Sequence, residues 1–551
     1  MTGYAQLWRA APRDWVDAAA AWRELAGPVR RRCHGLAARA GRLRTGWSGG
    51  AASAAGGRLT ELRGELVGVL PALVEADQVL AEFAARLHAA KARLAEAVAL
   101  ADRTGVQVDR HGVASAVPAP SRSAGRRWVG PEAGVLRAEP AVATAADVAR
   151  VAADVRGALA LADAADREAA GRLDELASAA RSGWVAPPPP GRPATGSPPA
   201  LVRVWWAGLS PAQRRWLVLH EPARVGRLDG VPAAARDQAN RLLLADRRDA
   251  LSADRRKLSA RLPGWPGDRA GLRRVEAALA GLDGIAGRLA AGPPRAYLLG
   301  LDERGDGRAV VALGNPDRSA QVLTYVPGMT SDLADAPGEL SRAGRVLDRC
   351  AGIAPGEETA AVLWLDYDAP DFLPEASSSA QARDAGPGLH RFQEGLRATH
   401  DGPPARQTVL GHSYGSVVVG GAARDHGLAA DALVFVGSPG VGVDRAEALR
   451  LPPERVWAST APDDVIRLVE PPGQLAGRAV LATSPLATAV SLLRPDDHRL
   501  WFGHDPADPD FGGRTFPSAR AGHTGYWEPG NPALDGMARI VLGRPVPSPG
   551  A

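Results

Sequence analysis

Cysteine is almost missing from this chain. Cys33 and Cys350 are the only two in 551 residues, and they lie more than 300 positions apart. That spacing excludes a disulfide scaffold and a Cys-x-x-Cys metal pair. Lysine is equally scarce, with Lys91 and Lys257 the only two among 66 basic residues. The arginine excess goes with abundant alanine and glycine and reads as coding bias before recognition. No uninterrupted apolar run reaches the length of a membrane span. The opening MTGYAQLWRAAPRDW lacks the apolar core of a signal peptide. A sustained charge of one sign is missing too. Residues 1–183 hold 25 Lys+Arg against 20 Asp+Glu, and residues 184–551 hold 41 of each, so the net +5 sits in the N-terminal third. This is too small an excess for a nucleic-acid footprint. With 45% apolar and 23% charged residues the chain is ordinary globular material, long enough for two to four domains.

Apolar periodicity divides what is present. Trp15, Trp22, Leu25, Val29, Leu36, Ala40 and Leu43 recur at helical steps, as do Leu59, Leu62, Leu66, Val69, Leu73, Leu80, Phe83, Leu87, Leu94 and Val98. Two amphipathic helices joined at Gly46-Trp47-Ser48-Gly49-Gly50 should pack antiparallel, with kinks at Pro28 and Pro71. Residues 104–113 read as a small extended excursion, and an Ala-rich helix over roughly 142–180 should close a bundle spanning 1–183. Seven prolines and two glycines in residues 187–199 make 184–200 a semi-rigid linker. Residues 201–293 are helical again, with a cap at Ser210-Pro211, and are expected to pack on the C-terminal domain. From 294 to 545 short apolar runs alternate with helical stretches: AYLLGL, AVVALG, VLTYV, AVLWLDY, QTVLGHS, ALVFVGS and RVWAST. Strands alternating with helices predict a mainly parallel sheet covered on both faces. The fold class expected is therefore an N-terminal all-α bundle joined to a C-terminal α/β domain.

The most informative segment is Thr408-Val409-Leu410-Gly411-His412-Ser413-Tyr414-Gly415-Ser416. It places Gly-x-Ser-x-Gly between an apolar strand and a helix, the context of a strained, exposed nucleophile. Gly411 and Gly415 leave room for the turn, and the helix N-terminus favours developing negative charge at Ser413. An incidental serine in a glycine-rich loop is the bland alternative. A serine needs a base and an orienting acid, expected in the chain order Ser, Asp, His. Beyond the strand RVWAST stand Asp463 and Asp464, and Asp464 is favoured as the acid with Asp463 its rival. His523, ahead of the last helix, is favoured as the base over His498 and His504; His412 should point elsewhere. For the oxyanion, one N–H should come from Tyr414 and a second from Met329, after the turn at Pro327-Gly328. Trp205, Trp206 and Trp216 read as core aromatics or, alternatively, as an acyl pocket. The arginines at 30–32, 39, 42 and 44 read as a solvated face or as a site for an acidic partner or anionic lipid.

These residues, together with WWAGLSPAQR, RLDGVPAAARDQAN, VPGMTSDL, WLDYDAP, GHSYGS, VGSPGVGV, FGHDPADPDFGG and GHTGYWEPG, make residues 200–545 resemble an actinobacterial branch of the α/β-hydrolases. The resemblance implies a Ser413–Asp464–His523 triad, a small-molecule or lipid ester as substrate, and no metal or organic cofactor. Relatives usually have one aspartate in the acid region where this chain has two. Trp47-Ser48-Gly49 between amphipathic helices resembles the Trp-x-Gly hairpin proteins of type VII secretion. That resemblance implies a helical hairpin partner, and a location that is cytoplasmic or reached by a leaderless export route. The hairpin relatives carry a tyrosine with an acid four residues further on, and no tyrosine occurs here between Tyr4 and Tyr297. Two function classes are consistent with these features: a serine hydrolase cleaving an ester or related acyl bond, or a secretion-linked interaction protein with a vestigial hydrolase domain.

Overall fold

The computed structural model describes residues 3–116, 143–182, 188–261, 266–302, 307–370, 376–468 and 499–547. The chain divides into two compact units, one of residues 1–32 with 73–183 and one of residues 33–72 with 184–551.

In the first unit, helices α1 (Tyr4–Arg9), α2 (Pro12–Gly46), α3 (Gly50–Thr104) and α4 (Ala145–Ser182) form a bundle, α2 and α3 continuing into the second unit around their connecting turn. Both long helices run on through Pro28 and Pro71. Arg23 pairs with Asp77 at 2.9 Å and Trp15 sets its edge on Phe83 at 5.0 Å, so α2 and α3 run antiparallel. Arg86 with Glu168 and Arg172 with Glu82 place α4 antiparallel to α3. A core of Leu7, Leu87, Leu94, Val151, Val155 and small alanines lies between them. The excursion after α3 is a two-stranded antiparallel ribbon, β1 (Val106–Val108) with β2 (Ala114–Ala116).

Among the described residues, the second unit is built on a sheet of eight strands. These are β3 (Ala296–Asp302), β4 (Arg308–Leu313), β5 (Gln321–Val326), β6 (Thr359–Leu365), β7 (Arg406–His412), β8 (Ala432–Val436), β9 (Val456–Ser459) and β12 (Arg514–Thr515). The short strands β10 (Arg499–Leu500) and β11 (Gly503–His504) form a separate ribbon. The sheet order is β12-β9-β8-β7-β5-β6-β4-β3, parallel from β12 through β6 and antiparallel at β4 and β3. Central strands such as ALVFV are buried at every residue, as expected of a parallel sheet covered on both faces.

Between residue 188 and the sheet, the described residues form α5 (Pro199–Ala207), α6 (Pro211–His220), α7 (Pro222–Val225), α8 (Ala233–Ser259) and α9 (Pro266–Ala290). Helix α6 opens on a reciprocal cap, Ser210 taking the Gln213 amide and Gln213 taking the Ser210 amide. The proline-rich segment before α5 is tied down by an Arg192–Glu221 pair at 2.7 Å, with the Arg192 guanidinium over Trp216. Trp206 is buried, while Trp216 stacks on His220. Helix α8 closes the edge of the sheet. Its buried Asp237, Asn240 and Arg236 and the half-buried Arg241 meet the free backbone of β3: Asp237 accepts from the Leu298 N–H, and Asn240, Arg236 and Arg241 donate to the carbonyls of Leu298, Leu299 and Ala296, all at 2.8–2.9 Å. An edge strand covered this way cannot pair with another chain.

Helices α10 (Ala336–Ile353) and α13 (Pro532–Val541) pack on each other, and so do α11 (Ala380–Thr399) and α12 (Tyr414–His426). Each pair touches the central strands, one pair on either face, and the strands' C-terminal ends are left to carry loops. The chain is thus an all-α bundle plus a mainly parallel α/β unit.

Candidate active site

Ser413 stands between the end of β7 and the start of α12 with φ 53° and ψ −128°. A side-chain-bearing residue adopts this conformation only when its surroundings impose it. The glycines show what imposes it. A Cβ on Gly411 would lie 2.7 Å from the Gly415 carbonyl oxygen, and one on Gly415 would collide with the Val326 carbonyl oxygen. The turn is held to the next strand by the Ser413 N–H, which donates to the Val436 carbonyl at 3.1 Å. Ser413 is half-buried, so its hydroxyl stays reachable, and the N-terminal end of the 13-residue helix α12 faces it.

The loop after β5 lies against this turn. A Cβ on Gly328 would sit 2.7 Å from the Ser413 Cβ and 3.2 Å from its Oγ. Gly328 is needed here for closeness; the left-handed residue of the loop is Thr330, with φ 63°. Tyr367 on the buried side donates its hydroxyl to the Pro327 carbonyl at 2.6 Å and fixes the loop. The N–H groups of Tyr414 and Met329 have no hydrogen-bond partner among the described residues. The Tyr414 side chain turns away, donating to the Ser378 carbonyl at 2.6 Å, and burial pushes its phenol up to about 12.

Asp464 lies beyond the C-terminal end of β9, buried. Its Oδ1 is 2.8 Å from His523 Nδ1 and also accepts the Ile466 N–H at 2.9 Å. Its Oδ2 accepts the Tyr526 hydroxyl at 2.5 Å. Burial alone would raise this carboxyl, but the hydrogen bonds from His523, Tyr526 and the Ile466 amide outweigh it and hold the pKa below the ordinary value. The acid is therefore ionised at neutral pH and selects the His523 tautomer with the proton on Nδ1, leaving Nε2 as the acceptor. Gly437, with φ 54°, gives the pair its room: a Cβ there would be 2.9 Å from Asp464 Oδ2 and 3.3 Å from the imidazole.

Asp463 faces another way, accepting the N–H groups of Ala521 and Gly522 at 3.1 Å each. His412 is buried with its ring 4.9 Å from that of His523, and its Nε2 lies 2.9 Å from the His523 carbonyl oxygen. His504 sits on β11 with Nε2 3.5 Å from Asp508. His498 lies outside the described residues. The structure thus brings His523 to Asp464, and Gly328 and its loop to Ser413. Among the described residues no hydrogen bond joins the Ser413 hydroxyl to the imidazole. Residues that sequence reasoning missed are Tyr526, Tyr367 and Gly437. The first two carried no signal beyond being tyrosines, while the glycine directly after a strand could have suggested a close approach.

A family model described as Alpha/beta hydrolase matches residues 302–475. The chain is 32% identical over 386 residues to uncharacterized protein Rv2079 of Mycobacterium tuberculosis, a match covering 65% of this chain and 56% of that one. Over 186 residues it is 33% identical to uncharacterized protein Mb0988c of Mycobacterium bovis, covering 32% of this chain and 69% of that one. The match thus spans little more than half the length of Rv2079. Among solved structures it is similar to esterase LipW from Mycobacterium marinum at 15% identity and a TM-score of 0.28, over 54% of this chain and 90% of that one. So distant a likeness says nothing about activity.

Proposed function

The chain belongs to the α/β-hydrolase family, and from that premise we propose that it is a serine hydrolase cleaving an ester or related acyl bond. The observation that carries the proposal is the His523–Asp464 pair at 2.8 Å beside a serine held at positive φ on the strand-to-helix turn. Ser413 Oγ attacks the substrate carbonyl carbon as its proton passes to His523 Nε2. The oxyanion takes the N–H groups of Tyr414 and Met329, and the α12 dipole adds to its stabilisation. The intermediate collapses, the leaving alcohol departs with the proton from Nε2, and Ser413 is left acylated. Water, deprotonated by His523, then releases the acid and restores the hydroxyl. Asp464 stays ionised throughout and steadies the imidazolium. The serine–histidine hydrogen bond is expected to close as substrate displaces solvent, since such bonds are commonly long in empty sites. A fluorophosphonate probe tests the reading. It should label the wild-type chain and leave Ser413→Ala unlabelled; equal labelling of both, or of neither, contradicts it.

A second role has its own support. Trp15 and Trp22 stand seven residues apart on α2, 41% and 42% exposed, with the exposed Leu25 beside them. A seven-residue apolar line suits a second helix lying along it. We infer that the helical unit docks a helical hairpin partner of the Trp-x-Gly kind. Co-expression with candidate hairpins should give a complex that Trp15→Ser with Trp22→Ser abolishes. A complex indifferent to both substitutions contradicts the inference.

A further inference from the structure

The hydrolytic scheme uses the His523 ring and leaves unexplained what holds its backbone. Two side chains do so, Asp463 after β9 and His412 at the end of β7. Asp463 is exposed, and its Oδ1 accepts the N–H groups of Ala521 and Gly522 at 3.1 Å each. His412 is buried, and its Nε2 meets the carbonyl oxygen of His523 itself at 2.9 Å. A carbonyl only accepts, so the His412 proton is on Nε2. Burial, reinforced by the neighbouring His523, pushes His412 down to about 3, so the ring stays neutral. The amides just before His523 and its own carbonyl are therefore both fixed. Between them Gly522 takes φ 63°, a conformation that a side chain would strain.

We propose that Asp463 and His412 are positioning residues that clamp the backbone on either side of the His523 Cα and so aim the imidazole at Ser413. The clamp gives the two adjacent aspartates separate tasks: Asp464 orients the ring, and Asp463 orients the chain that carries it. His412 couples the same loop to the strand that delivers the nucleophile, so base and nucleophile move as one body. The proposal rests on the hydrolase reading for its effect on rate, but not for the clamp itself.

The test uses the full chain with Asp463→Ala, Asp463→Asn and His412→Phe. Two measurements are made: ester turnover, and amide hydrogen exchange across residues 519–525. In Asp463→Ala, kcat should fall about 10- to 100-fold, the cost of a misaimed group, with KM within about twofold. The melting temperature should stay near that of the wild type, because the lost bonds are exposed. Exchange at Ala521 and Gly522 should speed up. Asp463→Asn keeps an acceptor oxygen and should recover most of the rate. His412→Phe should lower kcat in the same way, and because it alters a buried position the surface variants carry the decision. Unchanged exchange at Ala521 and Gly522 in Asp463→Ala overturns the clamp, even in a chain that hydrolyses nothing. Faster exchange with wild-type kcat overturns its positioning role. A wild-type chain that neither labels nor turns over overturns the hydrolase reading, and the exchange result then judges the clamp alone.

Discussion

The helical unit and the sheet unit treat their aromatic residues in opposite ways. In the bundle, Trp8 and Trp22 are more than two fifths exposed, Trp15 is equally exposed although its edge touches Phe83, and the helices are joined by small alanines, leucines and the ion pairs of Arg23, Arg86 and Arg172. In the sheet unit, Trp364, Trp527, Tyr325 and Tyr526 are fully buried, and Arg236 and Arg241 of α8 bond the backbone of an edge strand. Large rigid side chains held in a core fix positions. The same side chains on a helix surface offer area to a partner. Chemistry needs groups held within fractions of an ångström, and a core of the second kind can hold them so.

Substitutions can break this contrast, and the largest effect belongs to the site. Asp464→Asn removes the ionised partner of His523 and should lower kcat about 10³- to 10⁴-fold with little change in KM, measured on a chromogenic ester. A loss under tenfold would mean that the histidine is oriented by something else. Next comes stability. Trp364→Ala empties a fully buried site on β6 and should cost about 3–5 kcal/mol in urea unfolding. Trp22→Ala on the exposed line should change stability by under about 0.5 kcal/mol. Equal costs would erase the distinction between the two units.

A smaller effect than that of Trp364→Ala tests the sheet unit's polar interior. Asp317 is buried, accepts Thr399 Oγ1 at 2.5 Å and takes the Ala233 N–H at the start of α8. Burial raises its carboxyl to about 6 against the lowering effect of those two hydrogen bonds. The folded chain then binds this proton more tightly than the unfolded chain. Its contribution is fully present below the unfolded pKa near 4 and is lost as pH rises through about 6. Between pH 4 and 7 the wild type should lose on the order of 1–3 kcal/mol more stability than Asp317→Asn, read from urea midpoints at both pH values. Parallel pH profiles would show that folding leaves the Asp317 pKa unmoved.

Much of the fold and the site is legible in the sequence because it is local. Ser413 can be read from a strand, two glycines and a helix in succession. The parallel strands announce themselves as short runs of buried apolar residues. The rest depends on direction, which no local pattern carries. Asp463 and Asp464 are neighbours in the same loop, and only the fold decides which carboxylate faces the ring and which the 521–522 amides. His412 packs against Trp527 and Tyr526, and no pattern says that its Nε2 reaches the His523 carbonyl. The polar run Arg236-Asp237-Gln238-Ala239-Asn240 reads as a solvated helix face until the β3 backbone is placed beside it. Gly328 reads as a turn former, yet its function is to let the loop touch the serine.

The most direct measurement is a crystal structure of the chain after reaction with a phosphonate ester. The account predicts phosphorus bonded to Ser413 Oγ, with its free oxygen about 2.7–3.1 Å from the backbone nitrogens of both Tyr414 and Met329 and His523 Nε2 within hydrogen-bond reach of the serine oxygen. A phosphonyl oxygen turned to solvent, or phosphorus on any other residue, would contradict it.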